Sequence, residues 1–426
     1  MSTFVHALLP RLRLFRSRTG GLPLRRLLGP GWLVAVGYVD PGNWATDIAA
    51  GAHYGYALLA TVVLASLLGL LFQDMAARLA VATGQDLASL TRRHLPRPWA
   101  LAAWIAGELA IVATALAELI GCAIALQLLL GTGLKLGMLL GAAGTLAVMA
   151  LSQRRRNLHE HLVGVLLAGV ALSFLYLLAR AHPQPAAVAS GFAHGYSILG
   201  DGAMLAMATA IVGATVMPHN LYLHSGLVAE RSRGLDPGQR SRALRLSGRD
   251  TRLSLLLAMG VNAAMLVVAG TSLRDGAVPV ENLAQAHRSI ALTLGGGAAL
   301  IFALGLYAAG QSSAITGVIA GRLLSRGFRG RRESAWRRGI ATRLAGICLG
   351  YLLLDTLPGA GADGLLVLSQ TLLGLALPFA LLPLLRLAWR RELLGALAFR
   401  RGHLLLAAAA TLLVLALDAY LVIDAL

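Results

Sequence analysis

Charge is scarce in this chain: Asp, Glu, Lys and Arg make up 13% of its 426 residues, about half the share of a water-soluble protein. Acids are scarcer still, 19 against 37 basic residues. The two cysteines, Cys122 and Cys348, both fall inside apolar stretches, which excludes a disulfide framework and marks them as small packing residues. No HExxH pattern is present; His159 and His161 are only two apart, and His182 and His194 read as loop residues. The longest segment outside the apolar runs, 230–252, is too short to form a core of its own. Without a polar domain, any chemistry has to take place among apolar helices.

What the chain does have is hydrophobic length: 57% of residues are apolar and 49 are glycine. Eleven stretches can cross a hydrocarbon layer of about 30 Å: 31–57, 58–82, 99–130, 134–151, 158–179, 201–229, 253–273, 290–320, 339–355, 363–388 and 403–424. The expected class is an all-α integral membrane protein, in contact with lipid. The net charge of +18 does not point to nucleic acid, because the basic residues occupy alternate connections. Arg11 to Arg26, Arg92 to Arg97, Arg154 to Arg156, Arg231 to Arg252, Arg322 to Arg338 and Arg386 to Arg401 share one side, while the other has Lys135, Arg180, Arg274 and Arg288. That asymmetry places the N-terminus in the cytoplasm and the C-terminus outside. The basic stretch leads straight into a span and does not read as a cleaved signal peptide.

Two of the apolar helices carry polar interruptions. The first reads Asp40-Pro41-Gly42-Asn43 and the sixth Met217-Pro218-His219. Proline supplies no intrahelical donor and glycine tolerates non-helical dihedrals, so both helices are expected to open. Backbone left open at membrane depth has to face a cavity or a ligand. Breaks in the first and sixth spans match two inverted five-helix repeats whose discontinuous first members cross near the midplane: helices 1–5 over 31–180 and helices 6–10 over 201–388. A cytoplasmic segment, 1–30, precedes them and an eleventh helix, 403–424, follows.

The side chains at the breaks have the chemistry of a cation seat. Asp40 offers a hard anionic oxygen, Asn43 and freed carbonyls such as that of Ala214 offer neutral ones, and Met217 offers a soft sulfur. A thioether disfavours magnesium and calcium relative to manganese, iron or cobalt, and a zinc or copper trap calls for more cysteine or histidine. Metal at Asp40 favours its ionised form, so metal and proton oppose one another there. His219 and Glu118, an acid inside a long apolar helix, are further candidates for moving protons, and Arg343 is a candidate salt-bridge partner for Glu118.

These residues resemble the Nramp family of divalent metal transporters, which have a leucine-transporter-like fold. The two broken motifs carry the likeness, together with Gln73 through Arg78, Glu118-Leu119-Ile120-Gly121, Tyr222-Leu223-His224-Ser225, Gly310-Gln311-Ser312-Ser313, Ser369-Gln370 and Leu377-Pro378-Phe379. The resemblance implies uptake of Mn2+ or Fe2+, with Cd2+ and Co2+ as further cargo, driven by inward proton movement. It assigns the metal to Asp40, Asn43, Met217 and, in some states, the Ala214 carbonyl. The proton path or gate falls to Asp40, His219 and Glu118, with His224 and Arg343 as further members. The metal is cargo; no cofactor is expected, no enzymatic activity, and a monomer suffices.

Three positions depart from the family pattern as read from the sequence. Leu67 stands where an asparagine is usual, Ala115 where an aspartate precedes Glu118 by three, and Ala376 where a glutamine is usual. The principal ligands persist, so the metal reading stands, while coupling opens an alternative: a metal uniporter or loosely coupled transporter. A sodium-coupled amino-acid carrier of the same fold is the remoter rival, since Asp40 repels a substrate carboxylate and Met217 offers it nothing.

Overall fold

The computed structural model describes residues 29–154, 158–274, 280, 282–331, 333–357, 359 and 361–424. Nearly all of the expected 1–30 segment lies outside the described residues, which are helical with no strand among them. The chain opens with α1 (Pro30–Gly37) and α2 (Pro41–Tyr54), then α3 (Leu59–Thr83), a short α4 (Leu87–His94), α5 (Arg97–Leu130), α6 (Leu134–Arg154) and α7 (Leu158–Ala181). Next come α8 (Pro185–Ala193), α9 (Gly202–Thr215), α10 (Pro218–Ser232), α11 (Pro237–Ser272), α12 (Leu283–Leu294) and α13 (Gly296–Arg329). The chain closes with α14 (Ala335–Thr356), α15 (Gly361–Ala376), α16 (Pro378–Ala388), α17 (Arg391–Leu394) and α18 (Arg401–Asp424).

Among the described residues, 10 continuous or proline-broken helices are long and apolar enough to cross a membrane. They correspond to the second through eleventh expected spans. The first is divided between α1 and α2, each too short to qualify alone. The chain is therefore a multi-pass membrane protein.

Three boundaries differ from expectation, each for a local reason. The 253–273 stretch is the end of the 36-residue α11. This helix starts at Pro237 because Asp236 and Gln239 form a reciprocal capping box that holds a polar helix together outside the apolar region. The 290–320 stretch is split at Gly295, whose φ of 97° suits glycine alone, so α12 stands apart and α13 runs on to Arg329. The 363–388 stretch breaks before Pro378, giving α15 and α16. Of the two cysteines, Cys122 is buried as expected, and Cys348 is exposed.

The 34-residue α5 lies at the centre, packed against α6, α13, α14 and α15, and α2 is lodged among α5, α9, α11, α13 and α15. Gly121 on α5 permits this closeness: a Cβ there would lie 2.3 Å from the Pro41 ring. One turn into α2, the fully buried Trp44 meets Phe174 and Phe302 edge-on at centroid distances of 4.7 and 5.3 Å. Such contacts contribute about 0.5–1.5 kcal/mol each beyond burial. Large apolar side chains cover the outside, among them Leu109, Val165, Leu253 and Leu412, as a lipid-facing surface requires.

The two ends of the bundle differ in ion pairing. Lys135 meets Asp355 at 2.6 Å at the end where α5 finishes. At the opposite, arginine-rich end Arg326 pairs with Glu230 and Arg338 with Glu108.

Candidate metal-binding site

The segment Tyr38–Asp40 leaves the helix, and the same aspartate starts the next one. With extended backbone (φ −73°, ψ 170°), Asp40 is the N-cap of α2, and its Oδ1 accepts from Asn43 N at 2.9 Å. The side-chain amide of Asn43 donates to that oxygen as well, at 2.8 Å. Asp40 is fully buried and its Oδ2 has no hydrogen-bond partner. A buried carboxylate oxygen of this kind is costly.

The second break supplies an acceptor by subtraction. Pro218 is four residues after Ala214 and has no N–H, so the carbonyl that an intrahelical bond would occupy is free. Asn43 Nδ2 donates to it at 3.0 Å. Thr215 Oγ1 donates to Asn43 Oδ1 at 3.3 Å. One amide nitrogen thus spans an oxygen from each broken helix. For its oxygen to join Asp40 and Ala214 around a cation, the Asn43 amide has to turn over.

Met217 caps α10 in the extended conformation imposed before a proline (φ −95°, ψ 132°). Its side chain is buried among Ala106, Ala110 and Ala113 of α5 and Leu373 and Ala376 of α15. Its sulfur accepts from Asn220 Nδ2 at 3.8 Å. The structure therefore joins Asp40, Asn43 and Ala214 directly, with Met217 three residues further along the same break. Among the described residues no three His, Cys, Asp or Glu side chains come together. A cation here would have one carboxylate, with neutral groups completing its shell.

The candidate proton groups fall into two clusters. His219 is buried on the first turn of α10 and its Nδ1 is 3.2 Å from Thr114 Oγ1 on α5. One turn on from Thr114, Glu118 binds Arg343 Nη2 at 2.7 Å and accepts from Ser313 Oγ at 2.9 Å, both partners buried. The Arg343 bridge expected as one role for Glu118 is present. His224 belongs elsewhere: its Nδ1 is 3.0 Å from Gln73 Oε1 and its Nε2 3.2 Å from Thr251 Oγ1. Gln73 Nε2 in turn donates to Tyr38 OH at 3.2 Å, so His224 reaches the first break through an amide.

At the three departing positions, Leu67 is half exposed on the outside of α3, and its buried neighbour is Ser66. Ala115 packs against Gly346 of α14, and Ala376 against Met217. The tenth span nevertheless brings an amide to the broken segment, from position 370. A Cβ on Gly42 would lie 2.0 Å from Gln370 Nε2, and Gln370 Oε1 is buried without a partner.

Sequence reasoning passes over several contributors. Asn262 Nδ2 donates to the Tyr38 carbonyl at 2.8 Å, satisfying backbone at the first break. Its only signal is an amide in an apolar helix. Asp47, two turns beyond Asp40 on α2, is buried with both carboxylate oxygens unpartnered. Thr215 reaches Asn43 across a separation that no local pattern reveals, while Asn220 touches the Met217 sulfur from three residues on.

The family model "Natural resistance-associated macrophage protein-like", Nramp, matches residues 31–424. The chain belongs to the Nramp family. It is a membrane transporter and not an enzyme. A Brucella suis protein named divalent metal cation transporter MntH is 40% identical over 417 residues, 97% of this chain and 91% of that protein. The solved Eremococcus coleocola manganese transporter, in complex with an aromatic bis-isothiourea substituted compound, is 32% identical with a TM-score of 0.82, covering 93% of this chain and 85% of that one. MhsT in complex with L-phenylalanine, at 19% identity and a TM-score of 0.56 over 91% of this chain and 98% of that one, shares the leucine-transporter-like fold alone.

Proposed function

We propose that this Nramp protein imports divalent transition-metal ions by alternating access, Mn2+ first with Fe2+ beside it. The observation that carries this reading is the Asn43 amide held between Asp40 Oδ1 at 2.8 Å and the Ala214 carbonyl at 3.0 Å. A carboxylate oxygen at the first break and the carbonyl that Pro218 leaves free at the second converge on one amide nitrogen, a place where a small cation would meet both. The names of the MntH relative and of the manganese transporter support the same cargo. Asp40, Asn43, Met217 and the Ala214 carbonyl are its ligands, and the thioether weights the site toward Mn2+, Fe2+, Co2+ or Cd2+ over Mg2+ and Ca2+.

Inward proton movement accompanies the metal in this reading. Asp40 exchanges metal for proton, and His219, Thr114, Glu118 and Arg343 form a sequence of buried polar groups across α10, α5 and α14. His224 reaches Tyr38 through Gln73 on a separate branch. Ala115, apolar and buried one residue from Thr114, favours a second reading, metal uniport or loose coupling. In this reading the broken helices α1–α2 and α9–α10 are the first members of inverted repeats over 31–180 and 201–388, with α18 added. The basic connections are cytoplasmic, the N-terminus inside and the C-terminus outside a bacterial plasma membrane, and one chain holds the complete site.

Reconstituted vesicles with an inside-negative potential test both parts. The expected result is Mn2+ uptake with acidification of the lumen, and Asp40→Ala removes most of both. Wild-type uptake by that variant refutes the site. Metal flux without proton entry selects uniport.

A further inference from the structure

We propose that the groove between the start of α5 and α16 is a binding site for an acidic glycerophospholipid, with an acyl chain along Ala103, Phe379 and Leu382 and the phosphate on Arg386. The groove has a volume of about 380 Å³ and is also lined by Trp99 and Trp389, within the size range of small-molecule sites. Its shape follows from the sequence. Pro383 lies inside α16 and has no N–H to give the Phe379 carbonyl. That carbonyl accepts instead from Tyr222 OH of α10 at 3.5 Å. That bond ties α16 to α10, and a trough lies between α16 and α5, floored by the buried Ala103 and Pro383.

Three features select the occupant. Trp99 and Trp389 are 57% and 47% exposed at the arginine-rich end, where amphipathic rings settle at the headgroup level. Phe379 and Leu382 are 36% and 41% exposed, giving a hydrocarbon chain an apolar wall. Arg386 is exposed and, among the described residues, has no carboxylate partner, and Arg93 and Arg97 are exposed close by. Arg390 Nη1 approaches His94 Nδ1 at 3.4 Å, tying the two rims together. Apolar walls, interfacial aromatics and an unneutralised guanidinium fit a lipid phosphate carrying net negative charge; a zwitterionic headgroup offers no net charge to match.

The test is native mass spectrometry of the full chain in detergent, with added phosphatidylglycerol or phosphatidylcholine. Wild type is expected to retain phosphatidylglycerol about fivefold better, the equivalent of about 1 kcal/mol for one arginine at a membrane surface. Arg386→Gln is expected to abolish that preference, and Leu382→Trp, which fills the trough, to lower retention of both lipids. Both variants should keep the wild-type melting temperature in lipid-free detergent, so loss of lipid is separable from loss of fold. Equal retention of the two lipids by wild type, or an unchanged preference in Arg386→Gln, overturns the proposal. Full retention by Leu382→Trp does the same by removing the acyl chain from the groove. A dimer that neither lipid displaces gives the groove to a second copy of the chain and overturns it too.

Discussion

Replacing Pro218 by alanine restores the N–H whose absence frees the Ala214 carbonyl. The new donor stands four residues along the same helix, so it competes for that oxygen with Asn43 Nδ2, now at 3.0 Å, and with any cation. It also relieves the steric restriction that keeps Met217 extended at ψ 132°, letting α9 run on into α10. One net backbone hydrogen bond is worth about 1 kcal/mol. Drawn from the metal-binding arrangement, that weakens Mn2+ about fivefold, and more where continuous helix swings the Met217 sulfur away. The assay is Mn2+ titration of the purified protein by calorimetry, alongside uptake in vesicles. The variant should melt no lower than wild type, because it gains a bond as it loses affinity. Unchanged or tighter Mn2+ binding in a folded Pro218→Ala protein refutes the argument that subtraction of a donor builds the site.

Met217→Ala should narrow the discrimination between Mn2+ and Ca2+, since the remaining ligands are oxygens; an identical competition profile removes the sulfur from the site. Glu118→Ala leaves the buried Arg343 guanidinium without its 2.7 Å partner and should destabilise by about 3–5 kcal/mol. A loss below about 1 kcal/mol, read from denaturant midpoints, would mean that Arg343 finds another acceptor. Asp47→Asn breaks no hydrogen bond to protein and removes a carboxylate buried with two unpartnered oxygens, so stability should rise by at least about 1 kcal/mol. A lower melting temperature would show that the charge has a partner.

Both breaks were legible in the sequence because proline acts locally: Pro41 and Pro218 determine where a donor is missing whatever surrounds them. The third break, at Pro378, carries the same signal, but the apolar run around it reads as one span. The early start of α11 was written in Asp236 and Gln239, yet a polar helix beyond the apolar region has a loop's composition. Asp40, Asn43 and Ala214 could be named from chemistry and resemblance, and the 171 residues between Asn43 and Ala214 put their contact beyond any local pattern. Gln370 shows the same limit. Its approach to Gly42 depends on how α15 packs, so an amide could be judged absent at 376 while another reached the site from 370.

In the proposed site the Asn43 amide makes the metal seat self-occupied. An arriving ion has to displace two hydrogen bonds, one to each broken helix, and a departing ion is replaced by them at once. If each bond contributes about 0.5–1.5 kcal/mol net, affinity is lowered by about 1–3 kcal/mol, or roughly 5- to 150-fold. The same amount need not be supplied when the ion leaves. On the proposed ligand set Asn43 is a built-in competitor to the cargo, and a carrier that must release its ion at every cycle gains turnover from binding it less tightly than these oxygens would otherwise allow.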